Sequence, residues 1–454
     1  MQTRVFTSYG LSLSVTVLAF GDLSYAASLP AAPPPAVSTG SGGSGASGAS
    51  GVSGASGVSG AGVGHIDPPA PSGPTTEPPP ADLVLVPPAG PAAPELPAES
   101  HFGYDNGIFV RSRDKSYSLY INAFGQLQYA LVAADGKVLS NGFHIVFGRI
   151  VVSGNLFSQK LTYFAQIDGS TLGNNNNVTM IDWWMKYTFS PYLYVLAGRW
   201  LVPYSRQFLT HPGNLLLPDL SPADYAFNLP RAIGVQLGGT AGRVSYDVFL
   251  VNSIRALGVG TQINRADSIS GGGRIELAIL KPYGYNESMP TPPAGIQLSV
   301  GVALAFNPVA DASGFQNVEA GDDTFNLTTD VGFRWQRLTV QAAFYYRHLT
   351  NRGVSDSFGY YGQAGVYILR QRLELAARVS GALLGSRAPG FGLMNLAAGS
   401  PTEYGGGLNV YLFGHGAKLQ TDYTYLQNDL FGTALFPAAT LGAHRFRIQT
   451  QVMF

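Results

Sequence analysis

The sequence predicts an all-β fold: a 16-stranded antiparallel transmembrane β-barrel behind a disordered N-terminal linker. Three observations carry this. The chain ends on an alternating strand, Ala443 to Phe454, with Phe446, Ile448, Val452 and Phe454 on one face and Arg445, Arg447, Gln449 and Gln451 on the other. Such period-2 alternation places an apolar face against lipid or a core and a polar face against water. Only 12% of residues are charged, against 57 glycines, 24 tyrosines and 25 phenylalanines, and no apolar run is long enough for a spanning helix. Crossing a bilayer without helices leaves only a closed barrel, in which every backbone group is bonded inside the sheet.

The N-terminus reads as an export signal. Arg4 precedes the apolar stretch Tyr9 to Phe20, and Ser24-Tyr25-Ala26 has small residues at both ends, so residues 1–26 are expected to be a signal peptide cut after Ala26. Residues 27–100 read as a disordered periplasmic linker: Gly-Ala-Ser and Gly-Val-Ser triplets from Gly45 to Ser59 between Pro-rich stretches. Flexible Gly/Ser coil followed by a stiffer proline spacer is the ordinary physics of that composition. The linker could thread the cell wall, making peptidoglycan a possible partner, or act as a passive spacer. The chain has no cysteine, so neither disulfides nor thiolate metal sites contribute. It holds 27 basic and 27 acidic residues; one basic and six acidic lie in residues 1–100, leaving the remainder at +5.

Residues 101–454 are expected to form the barrel. Sixteen alternating segments read as strands: 116–132, 144–157, 161–169, 178–189, 193–204, 231–241, 244–253, 272–281, 295–306, 324–335, 338–350, 357–369, 373–384, 402–414, 417–428 and 443–454. Tight turns at Ser190-Pro191-Tyr192, Gly242-Arg243, Gln336-Arg337, Arg370-Gln371-Arg372 and Gly414-His415-Gly416 alternate with long loops at 205–230, 308–323 and 385–401. Short turns at one end and long loops at the other are the asymmetry of bacterial outer-membrane barrels. Parity places Trp183, Trp200 and Trp335 on the lipid face as an aromatic girdle. Sixteen strands are wide enough for an aqueous lumen.

Phe109-Val110-Arg111-Ser112, Gly198-Arg199-Trp200-Leu201-Val202-Pro203-Tyr204-Ser205, Arg231-Ala232-Ile233-Gly234-Val235-Gln236-Leu237-Gly238-Gly239, Glu403 to Asn409 and Lys418 to Tyr425 together resemble the phosphate-selective porin O/P family, in order over most of the barrel. The resemblance implies a 16-stranded, homotrimeric porin whose third loop, here residues 205–230, folds into the lumen. It departs where selectivity would reside: the second strand keeps only Arg149, Leu201 stands where the family has lysine, and Ala232 replaces an acidic residue.

Basic side chains at a constriction select anions, because low-dielectric walls focus their field. The candidates for lining the pore and binding anions are Arg149, Lys186, Arg199, Arg206, Arg231, Arg334 and Lys418. Inward acids (Asp168, Asp182, Asp247, Glu276, Asp330, Glu374, Asp422) could instead pair with them across strands, which would leave a weak anion preference. Gln207, Phe208, His211, Leu215 and Leu216 are the candidate constriction loop, unusually apolar for an external loop. The histidines are scattered without metal spacing, and no catalytic arrangement, cofactor motif or nucleic-acid stripe emerges. Asp311, Glu319, Asp322 and Asp323 read as a solvated acidic loop. The expected function is passive diffusion of small hydrophilic solutes or anions through the outer membrane, with lipid as the surrounding partner. The alternative is an anchor or adhesin whose linker contacts the cell wall.

Overall fold

The computed structural model describes residues 101–105, 107–170, 178–229, 231–254, 265–308, 323–350, 356–383, 401–427 and 442–454. The expected signal peptide and linker and most of loops 308–323 and 385–401 lie outside the described residues. A two-strand hairpin, β1 (Phe102–Tyr104) and β2 (Ile108–Arg111), precedes sixteen barrel strands. These are β3 (Ser118–Ala134), β4 (Lys137–Leu156), β5 (Ser158–Gly169), β6 (Val178–Ser190), β7 (Leu193–Leu201), β8 (Arg231–Ala241), β9 (Val244–Ser253), β10 (Arg265–Ala278), β11 (Gln297–Asn307), β12 (Thr324–Trp335), β13 (Leu338–Leu349), β14 (Ser357–Leu369), β15 (Leu373–Leu383), β16 (Thr402–Tyr411), β17 (Ala417–Gln427) and β18 (Ala443–Met453). Each pairs antiparallel with its sequence neighbour, and β18 pairs with β3 from Ala443↔Ala134 to Met453↔Phe124, so the barrel closes.

Closure explains the hairpin. The edge of β3 runs on below the last rung of β18, where Phe454 and Ala123 exchange two backbone bonds of 2.8 and 3.0 Å. β2 then takes over that edge, Ile108 opposite Ile121 and Arg111 opposite Ser118. An unpaired stretch of edge is thereby covered. The hairpin carries no alternation longer than a few residues, which is why period-2 patterning does not reveal it.

The expected tight turns all lie at one end. Gln336, Gln371, Gly242 and Gly414 adopt positive φ there, the geometry that two- and three-residue hairpins require. At the same end Ile279 to Gly295 forms a long connection rather than a turn. β4 and β10 both begin seven residues earlier than the alternation suggests, at Lys137 and Arg265.

Outward positions are apolar and exposed, as at Val248, Leu250, Val302, Leu304, Ile448 and Val452. Trp183 and Trp335 lie on this outer face, but Trp200 does not: it is buried inward with Phe164, Trp184, Leu196 and Phe249. That correction has a physical cause. The interior is partly apolar, so hydrophobicity no longer tells the two faces of β7 apart.

The interior is also fuller than sixteen strands require. Glu374, Asn409, Gln420, Arg447 and Gln449 all face inward and have no exposed surface. Two chain segments fill the space, the connection 202–229 from the loop end and the connection 279–296 from the turn end. Glycines on the inner wall are their seats. A Cβ added at Gly365 would lie 2.5 Å from Leu216, one at Gly407 2.8 Å from Leu217, and one at Gly359 2.7 Å from Phe227. Part of the high glycine content is therefore a packing requirement of the lumen. Gly365→Val is expected to lower stability by about 1–3 kcal/mol through overpacking. Gly362→Ala, on the open outer face of the same strand with nothing within 4 Å, should change it by less than about 0.5 kcal/mol. Urea unfolding in detergent compares the two.

Candidate functional site

The candidate site is the lumen where the two inserted segments meet the wall. The loop-end segment leaves β7 and forms α1 (Arg206–Leu209), capped by the Ser205 hydroxyl, which accepts from Phe208 N at 3.3 Å. A 3₁₀ turn at Pro212–Asn214 follows, with His211 Nδ1 accepting from Gly213 N at 3.1 Å. Next comes α2 (Pro222–Phe227), capped by Ser221 with proline in its first turn. Each short helix has its cap, which satisfies one backbone donor of its first turn.

Arg206 anchors the start of this strap. Its Nε lies 2.6 Å from Asp330 Oδ1 and its Nη2 3.0 Å from Glu276 Oε2. Arg274 grips the same Asp330 through Nη1 at 2.6 Å and Nη2 at 2.9 Å, and also donates to Tyr204 O at 2.9 Å. From there the strap crosses to the opposite wall and is handed from strand to strand. Gln451 of β18 donates to Gly213 O at 3.2 Å, Lys418 of β17 to Leu215 O at 3.2 Å, and Asn409 of β16 to Leu216 O at 2.8 Å. On β15, Arg378 donates to Asp219 O at 2.7 Å, and Ser380 Oγ accepts from Ala223 N at 3.1 Å. On β13, Tyr345 donates to Asp224 at 2.8 Å. Backbone groups of an irregular segment are thus paired by wall side chains, the condition for burying a loop at all.

The placement of the nominated basic residues is now explicit. Arg149 faces inward, pairs with Asp168 at 3.1 Å and lies 4.2 Å over the Phe147 ring. Arg231 pairs with Asp182 at 2.8 Å. Arg206 is in the Asp330 network. Arg334 donates to Gln297 Oε1 at 2.6 Å and to the Tyr283 and Asn286 carbonyls. Lys418 holds the strap. Lys186 faces inward with its ammonium 5.4 Å from the Tyr194 ring. Arg199 is a correction: its register partners Trp183 and Ile233 are both exposed on the outer face, and its guanidinium donates to Met180 O at 3.4 Å. The apolar inner face of β7 that turns Trp200 inward turns Arg199 outward.

The five residues nominated for a constriction loop are all buried. Gln207 donates to Glu287 Oε1 at 2.9 Å and Gln363 Oε1 at 3.2 Å. Phe208 and Leu215 pack with Leu201 and Leu220; Leu216 joins Leu217 and Ala376. His211 lies edge-on to Phe124 at 4.7 Å. Among the described residues no group of three or more His, Asp or Glu could hold a metal ion.

The nearest electrostatic matches go beyond these residues. Glu403 receives Arg378 at 2.6 Å and Arg445 at 3.3 Å; Arg447 pairs with Asp422 at 2.6 Å and Asp219 at 3.1 Å. In the strap, burial pushes the Asp224 carboxyl up to about 6, against the hydrogen bonds from Ser205 and Tyr345. The same cause raises Glu287 in the turn-end connection. The sequence reading missed that connection, although its signal was present: thirteen residues from Pro282 to Ala294, four of them proline, where the parity of the strands demands a tight turn.

No family model matches the chain, and neither does any curated protein. Solved structures do. Salmonella typhi OmpF in complex with daunomycin is 12% identical, with a TM-score of 0.52 over 74% of this chain and 98% of that one. The loop-L8 deletion mutant of Vibrio cholerae OmpT is 9% identical at 0.49, covering 75% and 100%. A Rhodopseudomonas blastica porin triple mutant is 13% identical at 0.43, covering 74% and 100%. The OmpF likeness is one of fold, a closed antiparallel β-barrel, and by itself shows no family.

Removing Asp330 strands two guanidiniums. Asp330→Ala is expected to cost about 3–5 kcal/mol, the penalty for breaking a buried ion pair, whereas Arg199→Ala should stay within about 0.5 kcal/mol; urea midpoints test both. Asp224 gives a pH signature. Its folded pKa of about 6 lies above the ordinary 3.8, so the folded state binds the extra proton between those values. Stability should therefore rise as pH falls from 6 toward 4. The rise should be smaller in Asp224→Asn, and the difference between the two titrations isolates this group.

Proposed function

We propose that the chain is an outer-membrane diffusion channel for small hydrophilic solutes, acting without energy input or catalysis. The observation that carries this reading is the combination of faces in one closed barrel: an exposed apolar belt outside, and inside a wall of charged and amide side chains crossed by an inward-folded strap. An apolar exterior suits lipid, and a lumen lined with hydrogen-bonding groups lowers the barrier for polar solutes that the bilayer would exclude. No helix among the described residues is long and apolar enough to cross a membrane, so strands would do the spanning. The export signal at residues 1–26 and the even strand count are consistent with this location, with the linker on the periplasmic side.

Selectivity should be weak. Arg149, Arg206, Arg231, Arg274, Arg378 and Arg447 each have a carboxylate partner, so little of their field is left for a permeating ion. The residual anion preference would come from Arg334 and Lys418, which donate to carbonyls, an amide and a thioether rather than to carboxylates. Nothing in this arrangement singles out phosphate. A homotrimer fits the family resemblance, and peptidoglycan contact through residues 27–100 remains a separate proposal, tested by pull-down of that segment.

Planar-bilayer recording on refolded protein tests the channel reading. Discrete steps of small unitary conductance are expected, with a reversal potential only slightly on the anion side under a salt gradient. Arg199→Ala should leave that potential unchanged. Membranes that remain silent at high protein load even after the connection 279–296 is shortened to a turn would overturn the reading.

A further inference from the structure

The connection from Ile279 to Gly295 leaves the barrel and returns to it on the same rung. Ile279 N donates to Leu298 O at 2.9 Å, Leu298 N to Lys281 O at 3.0 Å, and Lys281 N to Ile296 O at 3.4 Å. Residues 281 and 296 are therefore already neighbours, and a two-residue turn would join β10 to β11. Instead residues 282–294 rise into the lumen. The Tyr283 ring sits on Gly332, where a Cβ would overlap it, and its hydroxyl lies 3.0 Å from Thr339 Oγ1. Ser288 Oγ is shared among Tyr411 at 2.6 Å, Tyr367 at 2.7 Å and Glu374 at 2.8 Å.

This excursion meets the strap from the other end. Glu287 Oε2 accepts from Leu216 N at 2.8 Å, and Asn214 Nδ2 donates to Asn286 Oδ1 at 2.6 Å. Arg206 Nη1 donates to Gly284 O at 2.9 Å. Two irregular segments entering from opposite ends thus interlock, and the wall around them is buried. A strap alone narrows a barrel; a second insert locked to it closes the space that the strap leaves.

Resting on the channel reading, we propose that residues 282–294 are a plug: the structure is the closed state, and conduction requires this segment to withdraw toward the turn end. The latch consists of hydrogen bonds made by Ser288, Glu287 and Asn286 and of those that the Arg206 and Arg334 guanidiniums give to the carbonyls of Gly284, Tyr283 and Asn286, contacts that water can replace once the segment leaves. The strap, in contrast, is anchored by buried ion pairs at Arg206 and Asp219, so the turn-end segment is the one that moves.

Two variants of the full chain test this in planar bilayers, with detergent circular dichroism confirming that each folds. In the first, residues 282–295 are replaced by Asn-Gly. Its unitary conductance and open probability should rise several-fold over wild type. In the second, Asn214→Cys with Asn286→Cys, made in a chain without native cysteine, is joined by a short bifunctional thiosulfonate. Conductance should be lost on cross-linking and return on reduction. A folded excision variant that conducts like wild type, or a cross-linked protein that conducts like its reduced form, overturns the plug while leaving the channel reading intact. A folded excision variant that never conducts overturns both.

Discussion

One buried carboxylate organises the interior. Asp330 on β12 receives Arg274 from β10 and Arg206 from the strap, so the wall and the loop share a charge that neither could bury alone. Isolated ions in such a place cost several kcal/mol each, and mutual pairing with additional hydrogen bonds offsets that cost. The arrangement also specifies geometry, because planar guanidiniums meet a carboxylate through defined edges. With Arg206 fixed there, Gln207 and the turn at His211 are directed across the lumen, and the remaining contacts along β18 to β13 follow in order.

The second constraint is space. Sixteen strands enclose more volume than their own side chains fill, and the chain supplies the balance with Leu216, Leu217, Phe227 and Tyr283, each seated near a wall glycine. A fully buried leucine contributes roughly 1.5–3 kcal/mol, so these seats help offset the entropy of ordering two long connections. The consequence is an interior that is partly apolar. It differs in this from an open aqueous pore, and it links the packing to the proposed closed state.

The barrel itself was legible in the sequence because lipid outside and polar groups inside impose a strict period of two, most clearly in the closing strand. The inward fold of residues 205–230 was legible only in part: Phe208, Leu215 and Leu216 are apolar for an exposed loop, but packing at a subunit interface would give the same composition. What failed was face assignment on β7. Tyr194, Leu196 and Trp200 pack inward against an apolar cluster, so alternation there carries no contrast, and Arg199 and Trp200 exchange the roles read for them. Ion pairing of the arginines depended on register across strands, which composition does not encode. The turn-end insert was hidden because its prolines read as an ordinary connection until the number of residues is compared with the turn it replaces.

The most direct test of the account is amide hydrogen exchange on the folded protein in detergent micelles, read residue by residue along the strap. Thr210, Leu216, Ala223 and Asn228 donate to buried acceptors. Their amides should therefore be protected to a degree comparable with the barrel strands, and Asp330→Ala should release them together. Exchange of these amides at the rate of an unstructured loop, with the strands still protected, would contradict a lumen organised around an anchored strap.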